Sequence, residues 1–358
     1  MKKIVFCVTT LSKGGAERVI CNLANYFSNN QDFDVSIIAI NKSNVEYHLN
    51  DNVKVYFAND LSKHGKIRNI FIRNINFRRL VNIICPDIVV SFLPVAVFIS
   101  LLHKHNYKVV ISVRNDPKIE YGTLKNKILS KLLFNKADAI IFQTGDAMNY
   151  FKNIHVLKKK IIYNPVSPNF LNKVYNGKRD KRIVTVGRLE KQKNHFLLIN
   201  AFNKFQQTHS DYILEIFGDG SLKNELNSLI RSYNLSNKVF LRGQTDDVAN
   251  EIRKSAMFVL SSDYEGMPNA LVEAMVLGIP CISTDCPCGG PKTLIINEHN
   301  GILVPVGDID SLVNAMNFLV SNQKKYKFIE KESKKILSKV NEKTVYKQWL
   351  DVVEETIE

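Results

Sequence analysis

The sequence predicts an α/β protein made of two doubly wound, Rossmann-like domains. Short apolar segments rich in Val and Ile alternate with segments of helical apolar spacing, as in βαβ units that build a parallel sheet. The alternation pauses in a polar and basic stretch at 172–181 and then resumes, which marks a linker. At 358 residues the chain is also longer than one packed core usually allows, so two domains are expected.

The individual elements follow from this alternation. Strands are predicted at 3–9, 35–40, 53–57, 88–92, 109–113 and 139–142, and then at 182–186, 212–217, 238–241, 257–260 and 281–284. Helices are predicted at 16–27, 66–84, 194–207, 222–233, 248–254, 269–277, 309–319 and 345–357. The apolar run 88–102 is too short to span a bilayer and is interrupted by Pro94, so it is interpreted as a buried strand followed by a helix.

Cysteine usage and the amino terminus favour a cytoplasmic protein. The six cysteines are scattered, without a CxxC pair or a Cys/His series, which argues against structural zinc and suits a reducing compartment. Lys2 and Lys3 precede an apolar run that is too short for a signal peptide.

Positive charge is concentrated in the first half of the chain. Residues 1–170 contain 24 Lys and Arg against 11 Asp and Glu, a net of +13, whereas residues 171–358 contain 25 against 23, a net of +2. Nucleic acid, an anionic membrane surface or an acidic substrate could each account for this asymmetry.

The segment from Glu265 to Glu273 is the most informative part of the sequence. Pro268 suits a first helical turn, so Glu265 should lie on the entering loop and Glu273 inside the helix. The first amides of that helix, near 269–271, are expected to be unpaired and to form an anion site beside the two carboxylates. A ligand with both phosphate and sugar hydroxyls fits this combination.

Three glycine-containing turns follow predicted strands and could approach an anion. Lys13-Gly14-Gly15 opens the first helix but is not a GxGxxG fingerprint, so a nicotinamide cofactor is not expected. The loop from Gly187 to Asn194 contains Arg188 and Lys193, which could converge on a diphosphate, although a solvated basic loop is the alternative. Gly218-Asp219-Gly220 follows the next strand, as a ligand-approaching turn or an ordinary loop.

Taken in order, the motifs GGAE, NPV, GRLEKQKN, GDG, EGMPNALVEA and TDCPCGGP resemble those of the family 4 retaining glycosyltransferases of the GT-B fold. The resemblance extends along nearly the whole chain, and the second-half motifs are its specific part. It implies an N-terminal acceptor-binding domain at 1–170, a C-terminal nucleotide-sugar-binding domain at 171–340, and a helix at 341–358 that crosses back to the first domain, with an inter-domain cleft between the two domains.

The resemblance also implies roles for individual residues. Arg188 and Lys193 would bind the donor diphosphate and stabilise the leaving nucleotide, Glu265 would contact donor-sugar hydroxyls, and Glu273 would contact the ribose. The implied catalytic residues are Arg188, Lys193 and Glu265. The implied donor-binding residues are Gly187, Arg188, Lys193, Gly218, Asp219, Gly220, Glu265, Gly266, Met267, Pro268, Asn269, Ala270, Leu271 and Glu273. On the acceptor side the implied cleft residues are Gly14, Gly15, Arg114 and Asn115.

The family retains anomeric configuration through front-face attack, so no enzymatic nucleophile is expected. Its commonest donor base is uridine, and neither a cofactor nor a metal is expected. Asp308-Ile309-Asp310 has the spacing of a metal-binding DxD motif, but its place at a helix start favours capping. Two departures are notable: relatives often have a histidine near Arg114, and an acidic residue where this chain has Thr293.

The acceptor implied by the resemblance is a glycan, typically linked to polyprenyl diphosphate in bacterial polysaccharide, lipopolysaccharide or glycoprotein assembly. The segment 63–80 mixes Lys and Arg with Ile and Phe at helical spacing, as in a helix that lies on an anionic membrane. A helix that packs on the sheet and exposes a basic face is the alternative. With the charge asymmetry, this segment predicts a peripheral protein on the cytoplasmic face of the inner membrane.

Two other classes of function compete with glycosyl transfer. A nucleotide-sugar epimerase or a phosphorylase could share the architecture, but the first needs acid/base residues at the sugar ring and the second a pyridoxal lysine, for which no motif is present. Charge alone suggests nucleic-acid binding, yet no helix-turn-helix, RNP or zinc-finger pattern occurs. No nucleic-acid partner is therefore expected.

Overall fold

The computed structural model describes residues 1–12, 14–61 and 65–358. The chain forms two compact units, which we call unit 1 (Met1–Pro165 with Lys343–Glu358) and unit 2 (Val166–Glu342). Lys13 and residues 63 and 64, which belong to predicted motifs, lie outside the described residues.

Within the described residues, the strands are β1 (Lys2–Val8), β2 (Phe33–Ala39), β3 (Lys54–Phe57), β4 (Ile88–Phe92), β5 (Lys108–Ser112), β6 (Ala139–Phe142), β7 (Lys158–Ile161), β8 (Asp180–Val186), β9 (Ile213–Phe217), β10 (Val239–Gly243), β11 (Ser255–Leu260), β12 (Cys281–Thr284) and β13 (Ile302–Val304).

The helices of the same residues are α1 (Gly15–Ser28), α2 (Lys66–Ile84), α3 (Pro94–Leu102), α4 (Pro117–Glu120), α5 (Leu124–Leu133), α6 (Gly145–Tyr150), α7 (Pro168–Leu171), α8 (His195–Phe205), α9 (Lys223–Ser232), α10 (Val248–Ile252), α11 (Asn269–Val276), α12 (Gly290–Leu294), α13 (Ile309–Ser321), α14 (Gln323–Ser333), α15 (Leu337–Val340) and α16 (Glu342–Ile357).

Each unit is organised around one parallel sheet. The sheet of unit 1 has the strand order β3-β2-β1-β4-β5-β6-β7, and that of unit 2 has the order β10-β9-β8-β11-β12-β13. The central strands are buried on both faces, which explains continuous apolar runs such as Ile88–Phe92 rather than an alternating pattern. The predicted α/β class with two Rossmann-like sheets is therefore confirmed.

The carboxyl-terminal helix completes the core of unit 1. Trp349 is fully buried, with its ring centroid 5.6 Å from that of Phe92, and Tyr346 packs 4.8 Å from Tyr26 of α1. The apolar side chains of α16 thus pack into the core of the first sheet, although this helix is distant from the sheet in sequence.

Two strands and several helices, among them α14, were not given a range in the sequence analysis. β7 contains Lys158, Lys159 and Lys160, which hide its strand character, and it forms an edge of the sheet where lysine is well tolerated. β13 is only three residues long. The helix α14 is rich in Lys and Glu and shows weak apolar periodicity, so it did not stand out.

In the part of the chain that the structure describes, no helix combines the length and the apolar character needed to cross a bilayer.

Candidate active site

The predicted donor residues of unit 2 lie at the point where its strand order changes direction. The chain proceeds from β8 to β10 on one side of the sheet and from β11 to β13 on the other. Doubly wound sheets bind ligands beyond the carboxyl ends of the strands at such a point. The loops that follow β8 and β11 contain Arg188, Lys193 and Glu265, so the topology brings these residues together.

The glycines of this region allow two loops to pack directly on each other. The Gly187 amide donates to Phe217 O (2.9 Å), and the Leu189 amide donates to Asp219 O (3.0 Å). A Cβ at Gly218, where φ is +140°, would lie 2.0 Å from Gly187 O, and one at Gly220 would lie 2.5 Å from Leu189 O. Close contact between the loops is thus one physical reason for glycine here, besides the predicted approach of a ligand.

Lys193 and Glu265 form an ion pair that is largely removed from solvent. Lys193 Nζ donates to Glu265 Oε1, and the two side chains are 16% and 7% exposed. Ser262 Oγ donates to the same carboxylate oxygen at 2.6 Å. The aliphatic part of Lys193 packs over Gly187, where a Cβ would come within 3.2 Å of it. Because water screens this pair poorly, its charges act strongly on any ligand beside it.

Backbone and side-chain hydrogen bonds fix the basic loop to the segment after β11. Asn194 Nδ2 donates to Asp263 Oδ1 (2.7 Å), and Ser261 Oγ donates to Lys193 O (2.9 Å). The Asp263 amide donates to Gln192 O at 2.9 Å. Asn194, which has φ of 43°, also caps α8 by accepting from the Leu197 amide. The two predicted motifs therefore form one preorganised unit.

Arg188 differs from Lys193 in its exposure. Its side chain is exposed, and Nη2 lies 3.4 Å from Gln192 Oε1, a weak contact. Its backbone carbonyl, in contrast, accepts from His195 Nε2 at 3.2 Å beneath the loop. The guanidinium can therefore turn toward a ligand while its own backbone stays fixed.

His195 is a buried, neutral support of this loop. Burial lowers its pKa to about 4, aided by the nearby Lys193 charge and opposed by hydrogen bonds to the Arg188 and Gly187 carbonyls. The Nε2–H tautomer follows from the donation to Arg188 O. Among the described residues, none hydrogen-bonds the buried Nδ1.

The entrance to α11 differs in detail from the expected open helix end. Pro268 is the residue before the first turn, and its carbonyl accepts from the amides of Leu271 (3.1 Å) and Val272 (3.2 Å). The Leu271 amide is therefore paired, contrary to the expectation for 269–271, because the first turn closes tightly on Pro268. Gly266 O packs so closely on Gly290 that a Cβ there would lie 1.6 Å away. Glu273, inside α11, is 6% exposed.

In unit 1 the turn after β1 is held by a tyrosine. The Tyr47 hydroxyl accepts from the Gly14 amide and donates to the Gly14 carbonyl, both at 2.9 Å. Gly14 precedes the first turn of α1, which begins at Gly15. Since the strand order of this sheet changes direction between β1 and β4, the turn lies at a second point where such sheets bind ligands.

Arg114, after β5, is buried in a polar network rather than presented to solvent. Its guanidinium stacks 4.5 Å from the Phe92 ring centroid and donates to Asn164 Oδ1, which also accepts from Gln143 Nε2 at 2.6 Å. Burial lowers the pKa of Arg114 to about 9, while the nearby Glu120 raises it. These contacts hold the Arg114 guanidinium in place within unit 1. Asn115, next to it, is half-buried.

The DxD-like sequence at 308–310 caps a helix, as predicted. Asp308 accepts from the Ser311 amide (2.9 Å) and from Ser311 Oγ (2.6 Å) at the start of α13, and Asp310 pairs with Lys204 at 2.7 Å. Across residues 1–12, 14–61 and 65–358, no three His, Cys, Asp or Glu side chains are grouped so as to hold a metal ion.

Several residues of the site were missed in the sequence. Ser262 and Tyr47 each bond a predicted residue, Glu265 and Gly14, and Asn194 ties the basic loop to Asp263. Asn194 stood within the GRLEKQKN motif, and Ser262 lies just before Glu265, so proximity to a motif was an available signal. Tyr47 lies 33 residues from Gly14, and no local pattern points to that contact.

Comparisons with known proteins identify the family of the chain. A model described as Glycosyl transferases group 1 matches residues 167–336, and one described as Glycosyltransferase Family 4 matches residues 13–170. An uncharacterized glycosyltransferase of Methanocaldococcus jannaschii is 31% identical over 70% of this chain and 68% of its own length.

A longer match is found in Campylobacter jejuni. Its N-acetylgalactosamine-N,N'-diacetylbacillosaminyl-diphospho-undecaprenol 4-alpha-N-acetylgalactosaminyltransferase is 28% identical over 93% of this chain and 94% of its own. Among solved structures, Anabaena HepE in complex with UDP has a TM-score of 0.82 at 18% identity, covering 99% of this chain and 100% of that one. The two family models together match nearly the whole chain, and the Methanocaldococcus relative is 31% identical over 70% of it. The chain therefore belongs to the family 4 glycosyltransferases, enzymes of the GT-B fold.

Proposed function

We propose that this glycosyltransferase moves a hexose or N-acetylhexosamine from a UDP-sugar to a glycan linked to polyprenyl diphosphate. The Campylobacter relative is named for transfer to a diphospho-undecaprenol-linked sugar, and the HepE structure is described as a complex with UDP. The single observation that carries the proposal is the partly buried Lys193–Glu265 pair at the switch point of the second sheet.

In this proposal the pair holds two parts of one donor. Lys193 has further N–H donors beyond the one that Glu265 accepts, so it can also contact a diphosphate oxygen. Glu265 keeps the Ser262 hydroxyl as a partner and retains acceptor capacity for sugar hydroxyls. Glu273 would accept from the ribose hydroxyls, and the backbone amides that precede Leu271 in the first turn of α11 would contact phosphate.

Arg188 and Lys193 would also carry the chemistry. Departure of the nucleoside diphosphate builds negative charge on its leaving oxygen, and two cations fixed beside that oxygen lower the barrier without a metal ion. We propose metal-independent transfer with retention of configuration, in which the acceptor attacks from the face that the leaving group vacates. Under this mechanism no side chain forms a covalent bond to the sugar.

Unit 1 would receive the acceptor at the membrane. Its net positive charge and the basic helix α2 suit a diphosphate-bearing lipid and an anionic bilayer surface, so we propose a peripheral location on the cytoplasmic face of the inner membrane. The turn at Gly14 and Gly15 and the region of Arg114 and Asn115 would lie on the acceptor side.

A thermal-shift panel of nucleoside diphosphates and their sugars tests the donor assignment. A ligand that binds the native state raises the melting temperature according to its affinity, so UDP and a UDP-sugar should give the largest rise. Consumption of that UDP-sugar should then require a polyprenyl-diphosphate acceptor, whereas an epimerase would convert the donor alone. If no nucleoside diphosphate changes the melting temperature, the donor assignment is wrong.

A further inference from the structure

The helices of unit 1 divide between the two faces of its sheet. α1 links β1 to β2 in one direction along the sheet, whereas α2, α3 and α5 precede strands that are added in the opposite direction. Since such crossovers are right-handed, α1 lies on one face and α2, α3 and α5 lie on the other.

Side-chain contacts place α3 between α2 and α5. His103, at the end of α3, bonds Asn74 of α2 at 3.0 Å. On its other side, the Phe98 ring of α3 lies 5.8 Å from that of Tyr121 and 6.3 Å from that of Phe134, which flank α5. The outer surfaces of α2 and α5 therefore belong to the same side of unit 1.

α5 exposes a row of large apolar side chains. Leu124, Ile128 and Leu132 are 76%, 51% and 65% exposed, and their spacing of four residues places them along one side of the helix. We call these three residues the α5 stripe. The buried residues Ser130 and Leu133 lie on the opposite side of the same helix, so the stripe is surplus to the core. A continuous exposed apolar row of this kind marks an interaction surface.

α2 presents a similar row. Ile67, Phe71 and Ile75 have the same spacing and are 60–74% exposed, while Phe77 and Val81 of that helix are buried. The two helices that flank α3 thus both carry exposed apolar side chains.

Charge distinguishes this side from the opposite one. By sequence, α2 has five Lys and Arg residues, α5 has three, and neither has an acidic residue. On the opposite face α16, which packs against α1, has four acidic residues and two lysines. On the α2–α5 side, net positive charge therefore coincides with exposed apolar side chains.

We propose that the α2–α5 side of unit 1 docks on an anionic phospholipid bilayer and that the α5 stripe inserts among the lipid chains. Amphipathic helices that combine large apolar residues with lysine and arginine bind membranes in this way. A second copy of the chain would bring cations against cations in a symmetric contact, and a nucleic acid would leave the leucines and isoleucines without partners. The inference deepens the proposed function, because it rests on a membrane-linked acceptor.

Flotation with vesicles tests the surface in the full-length protein. Vesicles of phosphatidylcholine with an equal amount of phosphatidylglycerol should carry the protein upward at low salt, and pure phosphatidylcholine vesicles should carry much less. Leu124→Gln, Ile128→Gln and Leu132→Gln together keep good helix formers but remove the apolar row, so the bound fraction should fall by about tenfold or more. Ile296→Gln, at a 67% exposed position of unit 2, is the matched control and should float like the parent.

A fluorescence measurement gives a second, independent readout. In the Leu132→Trp variant, the fluorescence emission of the introduced tryptophan should shift to shorter wavelength when anionic vesicles are added. Brominated lipid in those vesicles should quench it. Ile296→Trp should do neither, and Trp349 is buried and gives a constant background.

The possible results of these experiments distinguish failure of the docking proposal from failure of the proposed transfer reaction. If the triple variant floats like the parent and Leu132→Trp is not quenched, the α5 stripe is not the docking element, although peripheral association stands. If the parent floats with neither vesicle, membrane docking fails as a whole, while transfer to a detergent-solubilised acceptor would still support the proposed chemistry. If the parent is a dimer and the triple substitution makes it monomeric, a second copy of the chain, and not a bilayer, covers the α5 stripe.

Discussion

Each unit holds a cation that is largely shielded from solvent beyond the carboxyl end of its sheet, but the two cations are held in different ways. Lys193 in unit 2 faces the carboxylate of Glu265, whereas Arg114 in unit 1 lies over an aromatic ring and bonds the neutral amide of Asn164. A lysine paired with a carboxylate keeps spare donors for an incoming anion, while a guanidinium enclosed by ring and amides is committed to the fold. We expect the partner of a shielded cation to separate a ligand-binding role, proposed for Lys193, from a structural one, proposed for Arg114.

The largest expected effect comes from breaking the pair in unit 2. We expect Lys193→Ala to lower kcat by about 10²–10³-fold, because one cation that stabilises the leaving diphosphate is lost. Glu265→Gln keeps the shape of the side chain, so it should stay folded yet lose most turnover. Initial rates with saturating donor and acceptor measure both effects.

An exposed ion pair of the same unit serves as the control for these variants. Lys204 and Asp310 lie 2.7 Å apart with both side chains more than half exposed, so Lys204→Ala should leave turnover unchanged and cost less than about 1 kcal/mol of stability. Full activity of Lys193→Ala would remove Lys193 from the catalytic residues.

The second prediction concerns the cation of unit 1. Arg114→Met should lower the free energy of unfolding by about 2–3 kcal/mol, because a buried hydrogen bond to Asn164 and a stacked cation are lost together. The affinity for UDP should stay within about twofold, since donor binding is assigned to unit 2 and Arg114 bonds Asn164 of its own unit. Denaturant unfolding and a UDP titration give the two numbers.

Arg78→Met offers the matched comparison, because Arg78 is an exposed arginine of the same unit. It should change stability by no more than about 0.5 kcal/mol, as most surface substitutions do. The distinction between the two cations would be wrong if Arg114→Met bound UDP much more weakly while its stability was unaltered.

The two units also differ in how much of their structure could be predicted from the sequence. Alternating apolar segments predicted both sheets, because strands buried on two faces produce continuous apolar runs that are visible locally. The motif resemblance brought Lys193 and Glu265 into one site, and the structure pairs them. Their pairing with each other was not predicted, since a motif gives residue types and not the contacts that exist before a ligand arrives.

Unit 1 was less predictable because its polar contacts join distant parts of the chain. Arg114 meets Asn164, fifty residues away, and Tyr47 holds Gly14 across 33 residues. Neither contact has a local sequence signal. The edge strand β7 was hidden by its lysines for a related reason, since edge position depends on the completed sheet.

The smallest expected effects concern pH, and they have opposite signs in the two units. In unit 1, burial raises the pKa of Glu120 to about 7, with Arg114 opposing and Asp116 adding to the shift. A carboxyl whose pKa is raised on folding contributes stability at low pH that is lost as pH rises through about 7. In unit 2, burial lowers the pKa of His195 to about 4, so its contribution is present above the unfolded pKa and is lost as pH falls toward about 4.

Substitutions that cannot titrate should therefore shift stability in opposite directions between pH 5 and pH 7.5. Relative to the parent, Glu120→Gln should gain on the order of 1–2 kcal/mol as pH rises over this interval, because the parent must ionise a buried carboxyl. His195→Gln should lose a similar amount relative to the parent, because only the parent is weakened at pH 5 by protonation of its unfolded state. Chemical denaturation of the three proteins at both pH values measures the two slopes. If the stabilities of the two variants relative to the parent changed in the same direction with pH, the pKa of Glu120 or of His195 would not be shifted by folding in the stated direction.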